Sequence, residues 1–318
     1  MKFAITGSTG LIGSALTRSL LEDGHKVVRL VRLGGVTRQW MDGSRGAIWE
    51  PESNRLVKET VEGLDGIVHL AGAGVGSRRW TRRYKRAILE SRRQGTTLIA
   101  ETLTRLEQPP KVLVSASAIG FYGQTGSQAV DETAPSGNDF LSEVCRVWEA
   151  ATAPAEEIGV RVVHARTGLV FDRAGGAAAK LLPLFRYGLG GKLGSGRQFW
   201  SLISLADEVA AIRFLLDRDD ISGPVNLTAP TPATNAEVTA ELGRQLHRPT
   251  LLRVPSFALR IALGEMAREV TGSQRVIPAA LQHAGFQFQH PELSDIVAAG
   301  LSGETSNPPR KYAFNIDG

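Results

Sequence analysis

Three glycines spaced three residues apart, Gly7, Gly10 and Gly13, stand between a short apolar run, Phe3-Ala4-Ile5, and a stretch in which Leu11, Ile12, Ala15, Leu16 and Leu20 share one helical face. No other feature of the chain narrows its fold as much. A glycine turn that ends a buried strand and opens a helix leaves backbone N–H groups bare at the positive end of the helix dipole. Side chains at those positions would hold a ligand away, so the junction suits a diphosphate. The bland alternative is a tight turn with no ligand. On the first reading Gly7, Thr9, Gly10, Leu11, Ile12 and Gly13 are cofactor contacts.

The rest of the chain repeats the strand-then-helix pattern. Residues 27–31, 67–70, 112–115 and 160–165 read as buried strands, and helices are expected over about 84–106 and 140–157. That alternation predicts an α/β fold, a Rossmann-type doubly wound parallel sheet with helices on both faces. After Gly168 the pattern changes: glycines cluster from Gly175 to Gly196, then a helix is expected near 207–216 and a strand near 224–227. Helices are expected over about 235–246, 257–270, 278–283 and 291–300. The expected organisation is therefore a nucleotide-binding domain over 1–170, with 200–218 returning to it. A smaller, mostly helical substrate lobe covers 171–300, including a helical segment 248–296, and a polar tail, 301–318, is loosely ordered.

The end of the second strand bears on which dinucleotide fits. Folds that hold NAD usually place an Asp or Glu there for the ribose 2′-hydroxyl. Here the strand ends Leu30-Val31-Arg32-Leu33-Gly34-Gly35, and no acid follows until Asp42. Arg32 stands where the acid would, suited to a 2′-phosphate, and Arg38 is a second candidate. The cofactor expected is NADP(H); a solvated strand-end arginine is the other reading of Arg32. The net charge, 37 − 32 = +5, suits an anionic ligand. No zinc-finger or RNA-binding signature accompanies it, so no nucleic-acid partner is expected. The single cysteine, Cys145, allows no internal disulfide and points to a reducing compartment. No secretory leader is recognised, and no window approaches about 18 uninterrupted apolar residues. A cytoplasmic protein with no membrane partner is expected. The histidines show no metal-ligand spacing, so no metal is expected. The oligomeric state is left open.

Further motifs carry a family resemblance. The glycine spacing, Leu70-Ala71-Gly72 at a strand end, and Ser115-Ala116-Ser117-Ala118-Ile119-Gly120-Phe121-Tyr122-Gly123 resemble the extended, atypical short-chain dehydrogenase/reductase superfamily. His69-Leu70-Ala71-Gly72-Ala73-Gly74, Arg79-Trp80-Thr81, Ser91-Arg92, Gly188-Leu189-Gly190-Gly191 and Asn235-Ala236-Glu237 are similar to its epimerase family, a branch associated with sugar-nucleotide epimerases. Leu263-Gly264-Glu265-Met266 and Gly285-Phe286-Gln287-Phe288 resemble that branch's extra C-terminal helical segment. The resemblance implies that Leu70, Ala71 and Gly72 line the adenosine and diphosphate. It places Arg92 where an Asn is usual, towards the nicotinamide end or a bound anion, with a helix-surface arginine as the alternative. Thr167, Gly168 and Val170 would meet the nicotinamide, or serve as ordinary turn and core.

The superfamily's catalytic Tyr-x-x-x-Lys pair is missing. With Glu149 aligned to the helix acid that usually follows, Leu141 occupies the Tyr position and Cys145 the Lys position. Cys145 reads as a small buried hydrophobe rather than a nucleophile. Ser117 remains near the usual serine, and Tyr122 is a candidate substitute acid or substrate contact, with plain packing as the alternative. Asp131-Glu132 reads as an acid/base pair or a solvated loop. Trp80 and Trp200 are candidate substrate contacts, and the basic run from Arg78 to Arg86 reads mainly as a solvated helix start. The function expected is hydride transfer by an NADP(H)-binding oxidoreductase-like protein on a small substrate, with a sugar nucleotide as the class the resemblance suggests. The alternative is a non-catalytic NADP(H)-binding sensor or interaction module.

Overall fold

The alternating runs resolve, in a computed structural model that describes residues 1–32, 40 and 42–303, into an eight-stranded sheet. Its strands are β1 (Lys2–Thr6), β2 (Lys26–Val31), β3 (Arg45–Glu50), β4 (Arg55–Leu56), β5 (Gly66–His69), β6 (Val112–Ala118), β7 (Arg161–Thr167) and β8 (Gly223–Leu227). They lie in the order β8-β7-β6-β5-β1-β2-β3-β4, parallel throughout except for the β3–β4 edge. The helices are α1 (Leu11–Glu22), α2 (Arg82–Leu103), α3 (Phe140–Ala150), α4 (Ala153–Glu157), α5 (Gly176–Arg186), α6 (Leu205–Asp217), α7 (Asn235–Leu246), α8 (Ser256–Leu263), α9 (Ala267–Thr271), α10 (Ala279–His283) and α11 (Leu293–Ser302).

Helices cover both faces, as in a Rossmann-type doubly wound sheet. Leu16 and Leu20 of α1 and Ile212 and Leu215 of α6 bury against Ile5, Val114 and Ala165 on one face. Leu98, Ile99 and Leu103 of α2 bury against Ala4, Ile67, Leu113 and Val162 on the other. Each fully buried leucine contributes about 1.5–3 kcal/mol over leaving it in water. This sandwich fixes the strands' carboxyl ends, where β1, β5, β6 and β7 present Thr6, His69, Ser117 and Thr167.

Several elements differ from the sequence expectation. The helix expected over 140–157 breaks between α3 and α4. Pro154 has no N–H to continue the ladder, and the Thr152 hydroxyl turns back to the Glu149 carbonyl at 2.7 Å. The helix expected over 257–270 breaks at Gly264, whose φ of +64° leaves the helical region. Strand β3 was not expected; Ala47 and Trp49 point inward on alternate positions of a short, polar-ended run. The segment returning to the sheet runs on past residue 218, because β8 pairs in register with β7, Asn226 beside Arg166. Leu281 of α10 and Phe286 also join the core under α1 and α6, so part of the C-terminal helical segment packs on the large sheet. The remaining lobe is stitched by short pairs, Gly191–Leu193 with Leu252–Val254 and Phe199–Trp200 with Ala233–Thr234. Arg38 and the tail from residue 304 lie outside the described residues.

Candidate nucleotide-binding site

The turn between β1 and α1 closes as its sequence demands. Gly7 takes φ +65°, and a Cβ there would lie 3.0 Å from the Leu70 carbonyl carbon. A Cβ on Gly13 would lie 2.3 Å from the Gly7 carbonyl oxygen, so any side chain would force the first turn of α1 off the strand. Gly10 is the helix N-cap and brings no side-chain cap. Its own N–H donates to the Gly7 carbonyl at 2.9 Å, and Ser14 N–H to the Gly10 carbonyl at 2.9 Å. The amides of Leu11, Ile12 and Gly13 find no acceptor among the described residues, and the buried Ser8 hydroxyl has none either. Bare amides at a helix start, an unmatched hydroxyl and a backbone cradle that only glycine leaves open fit a diphosphate.

Thr6 joins this turn to the next strand end. Its Oγ1 accepts from Leu70 N–H at 3.0 Å and Ala71 N–H at 3.1 Å, which occupies both lone pairs. Its hydrogen is then free only for His69 Nδ1, 2.7 Å away, so His69 carries its own proton on Nε2. Complete burial, then the nearby Arg92 cation, pull the His69 pKa down to about 3, and the ring is neutral. Leu70 and Ala71 thus lie beside the glycine turn, and Gly72 follows them.

Beside the start of α1 opens a cavity of about 560 Å³ lined by Ser8, Thr9, Arg18, Arg29, Trp40 and Asp42. Neither Ser117 nor Tyr122 lines it. Arg29 was missed in the sequence, although a charge inside the run Val27-Val28-Arg29-Leu30-Val31 demands a buried partner. Its guanidinium donates to the Ser8 carbonyl at 2.9 Å and to Ser44 Oγ at 2.7 Å, pairs with Asp42, and stacks 4.2 Å from the Trp40 ring centroid. The expectation that no acid approaches this place needs correction, because the chain folds Asp42 back into it. Asp42 is fully employed: it also accepts from Ser44 N–H at 3.0 Å and Ser44 Oγ at 2.6 Å, and these bonds hold its carboxyl below the usual range although burial opposes them. Arg32 is exposed at the strand end, 3.5 Å from Glu52.

The opposite end of the site departs from the superfamily's chemistry. Leu141 packs with Trp80, Val144 and Phe140 in an apolar cluster. Cys145 is 3% exposed, and its thiol is pushed up to about 11, chiefly by burial and then by the Glu149 charge. Ser117 donates to Glu149 Oε1 at 2.6 Å. Arg166, its register partner on β7, holds the same carboxylate through two bonds of 2.8 Å and donates to the Tyr122 hydroxyl at 3.0 Å. Tyr122 in turn donates to Asn226 Oδ1 at 2.7 Å, and burial pushes its pKa up to about 12. Ser117 and Tyr122 therefore meet in one network, as neither Glu149 nor Arg166 suggested from the sequence. Both are at most 5% exposed and both hydroxyl protons are already donated within the network, so a picture of Tyr122 as an open proton donor gives way to one of a buried tie.

The remaining candidates fall as follows. Arg92 is 9% exposed rather than on the helix surface. It donates to the Ala73 carbonyl at 2.9 Å, stacks 4.7 Å from the Trp148 ring centroid, and lies directly under Gly72. Thr167 donates to Glu208 Oε1 at 2.8 Å. Gly168 is a packing position, since a Cβ there would lie 2.5 Å from the Ser201 carbonyl oxygen, and Val170 is core. Trp80 is buried, its indole bonded to the Val75 carbonyl at 3.0 Å, and Trp200 is half-buried against the lobe's core. Asp131 caps its own turn through Thr133, and Glu132 accepts from the amides of Asn226 and Ala280, so this pair is structural. Thr81 caps α2, and the arginines around it are exposed.

Residues 3–227 match the family described as NAD dependent epimerase/dehydratase. The chain belongs to that family. Residues 254–299 match a domain of unknown function, DUF1731. This epimerase-family chain is 42% identical over 306 residues to the epimerase family protein ML0860 of Mycobacterium leprae, covering 96% of each. It is 37% identical to the chloroplastic epimerase family protein SDR39U1 homolog of Arabidopsis thaliana, over 94% of this chain and 86% of that one. The crystal structure of human epimerase family protein SDR39U1 (isoform 2) with NADPH superposes with a TM-score of 0.85 at 31% identity, over 95% of this chain and 99% of that one. The epimerase-family match spans the large sheet, and the separate match to DUF1731 spans the helical segment that follows it. Among the described residues no helix is long and apolar enough to cross a membrane, and no group of three or more His, Cys, Asp or Glu is placed to hold a metal.

Proposed function

We propose that the chain binds NADP(H) over the carboxyl ends of β1, β2, β5 and β7 and acts as an oxidoreductase on a small oxygen-bearing substrate. The observation that carries the cofactor half is the uncapped start of α1 above the Gly7–Gly13 contact. The bare amides of Leu11, Ile12 and Gly13 face the diphosphate, Gly7, Thr9 and Gly10 form the turn around it, and Leu70, Ala71 and Gly72 border the adenosine. Arg32 reaches the 2′-phosphate at the price of a weak, exposed contact with Glu52, while Arg29 and Ser44 keep Asp42 from repelling it. The NADPH-bound human relative supports the same choice. When bound, the nicotinamide supplies a hydride donor or acceptor.

The chain's own residues do the rest. Residues 171–300, apart from the segment that returns to the sheet, form the lobe that covers the substrate, with Trp80 and Trp200 at its borders. Thr167 stands at the β7 end towards the nicotinamide. Ser117 and Tyr122 act through Glu149 and Arg166 as positioning groups, holding the ends of β6, β7 and β8 together. A sugar nucleotide is the substrate class that family membership favours. One observation favours the second reading, a cofactor-binding module without turnover: a half-buried Leu141 and a buried Cys145 stand where a proton donor and its activating cation would be. Calorimetry with NADPH and NADH, followed by NADPH oxidation across sugars, aldehydes and quinones, separates the two. Turnover of any of them supports the enzyme; tight binding with no turnover across the panel supports the module; no binding of either nucleotide sinks both.

A further inference from the structure

The C-terminal lobe carries a surface that the cofactor reading leaves unused. Two stretches contain no Asp or Glu: residues 173–206, with five Lys or Arg, and residues 242–264, with four Arg. The acids that flank them are committed elsewhere. Asp172 and Asp207 are buried, Glu241 pairs with Arg244 and Glu265 pairs with Lys85. Parallel pairing of Gly191–Leu193 with Leu252–Val254 brings the two stretches together. Two arginine bonds fasten them, Arg248 Nε to the Arg186 carbonyl at 2.9 Å and Arg253 Nε to the Gly194 carbonyl at 2.8 Å.

On this basic corner stand large apolar side chains that face water: Tyr187 is 82% exposed, Leu189 55%, Leu251 92%, Phe257 60% and Ile261 71%. Phe257, Arg260 and Ile261 follow one another at i, i+3 and i+4, so one face of α8 is both apolar and cationic. Scattered exposed leucines are ordinary, but a cluster of this size on two joined segments marks a surface that meets something. A second copy is a poor fit, because a two-fold interface would set the same cations against themselves. An anionic lipid surface supplies apolar depth and negative charge in one partner.

We propose that this corner of the lobe docks on an anionic membrane surface. Leu251, Phe257 and Ile261 enter the boundary between headgroups and acyl chains, and Arg186, Lys192 and Arg260 lie among the lipid phosphates. The sequence reading expected no membrane partner, but interfacial docking needs no spanning helix.

The test is co-sedimentation of the full chain with vesicles of phosphatidylglycerol mixed with phosphatidylcholine, and with phosphatidylcholine alone. Binding to the anionic vesicles is expected, weakening as NaCl is raised, with little binding to the neutral ones. Two variants on exposed positions, Phe257→Ser/Ile261→Ser and Arg186→Glu/Lys192→Glu/Arg260→Glu, are each expected to weaken it roughly tenfold or more. NADPH binding and the unfolding midpoint should stay unchanged. The proposal is overturned by no binding to either vesicle, by equal and salt-insensitive binding to both, or by a dimer in sedimentation velocity that the Phe257→Ser/Ile261→Ser variant dissolves. That last result would assign the face to contact between copies.

Discussion

At Gly13 a single added carbon would sit 2.3 Å from the Gly7 carbonyl oxygen, and that oxygen belongs to a backbone with nowhere to go. Gly13→Ala should therefore weaken NADPH binding by roughly tenfold or more, read by fluorescence titration, and lower the unfolding midpoint as well. Arg32 offers a sharper test, because its charge bears on one phosphate. Arg32→Asp is expected to raise the NADPH dissociation constant roughly 10- to 100-fold, the worth of one charge-assisted contact, and to leave NADH almost unchanged. An equal loss of both nucleotides would remove Arg32 from the 2′-phosphate. The buried pair is a third case: Arg166→Met strands Glu149 and should cost about 3–5 kcal/mol by urea unfolding, part of which Arg166→Met/Glu149→Leu should restore. Of these residues the glycine turn and the place of Arg32 at the strand end were legible, since spacing and strand order alone give them. Arg29, Asp42, Glu149 and Arg166 were not, because their partners lie across strands or loops and no local period records a cross-strand contact.

The elements that read clearly were those whose pattern is local and long. Helix α7 begins at a capping box, in which the Thr234 hydroxyl accepts from Glu237 N–H at 3.3 Å and the Glu237 carboxylate accepts from Thr234 N–H at 2.7 Å. Thr234→Ala should cost about 1 kcal/mol in thermal or urea unfolding without touching cofactor affinity. The interruption between α3 and α4 was missed because the apolar spacing runs through it, while the stop lies in Pro154 and in the hydroxyl of Thr152. Strand β3, next to the sheet's edge, was missed for the opposite reason. Its two inward side chains make too short a period to see, and it is held mainly by pairing with β2. Short strands of the lobe owe their existence to partners far along the chain, so only the helices between them were visible.

Over the whole molecule, two buried groups set opposing responses to pH. Burial raises the Glu208 carboxyl from 4.5 to about 8, so the folded chain keeps a proton that the unfolded chain has lost, and stability falls as pH rises between those values. His69 behaves in the opposite sense: its folded pKa, about 3 against 6.5, makes stability fall as pH drops below 6.5. Between 4.5 and 6.5 the two slopes oppose each other; above 6.5 that of Glu208 remains, joined up to about 7 by Glu269, whose carboxyl is raised to about 7 by burial and then by the Asp139 charge. Denaturant midpoints should thus decline from pH 6.5 to 8, and Glu208→Gln should flatten that decline; an unchanged slope would mean that Glu208 ionises freely in the fold. The hydroxyl of Thr6 clasps the amides of Leu70 and Ala71 from beneath the glycine turn. Two crossovers of the sheet are thereby latched into one rigid floor before any nucleotide arrives. A guest that meets a ready-made floor loses little to its ordering, so cutting the latch with Thr6→Val should show itself as a more unfavourable entropy of association while the phosphate contacts themselves survive.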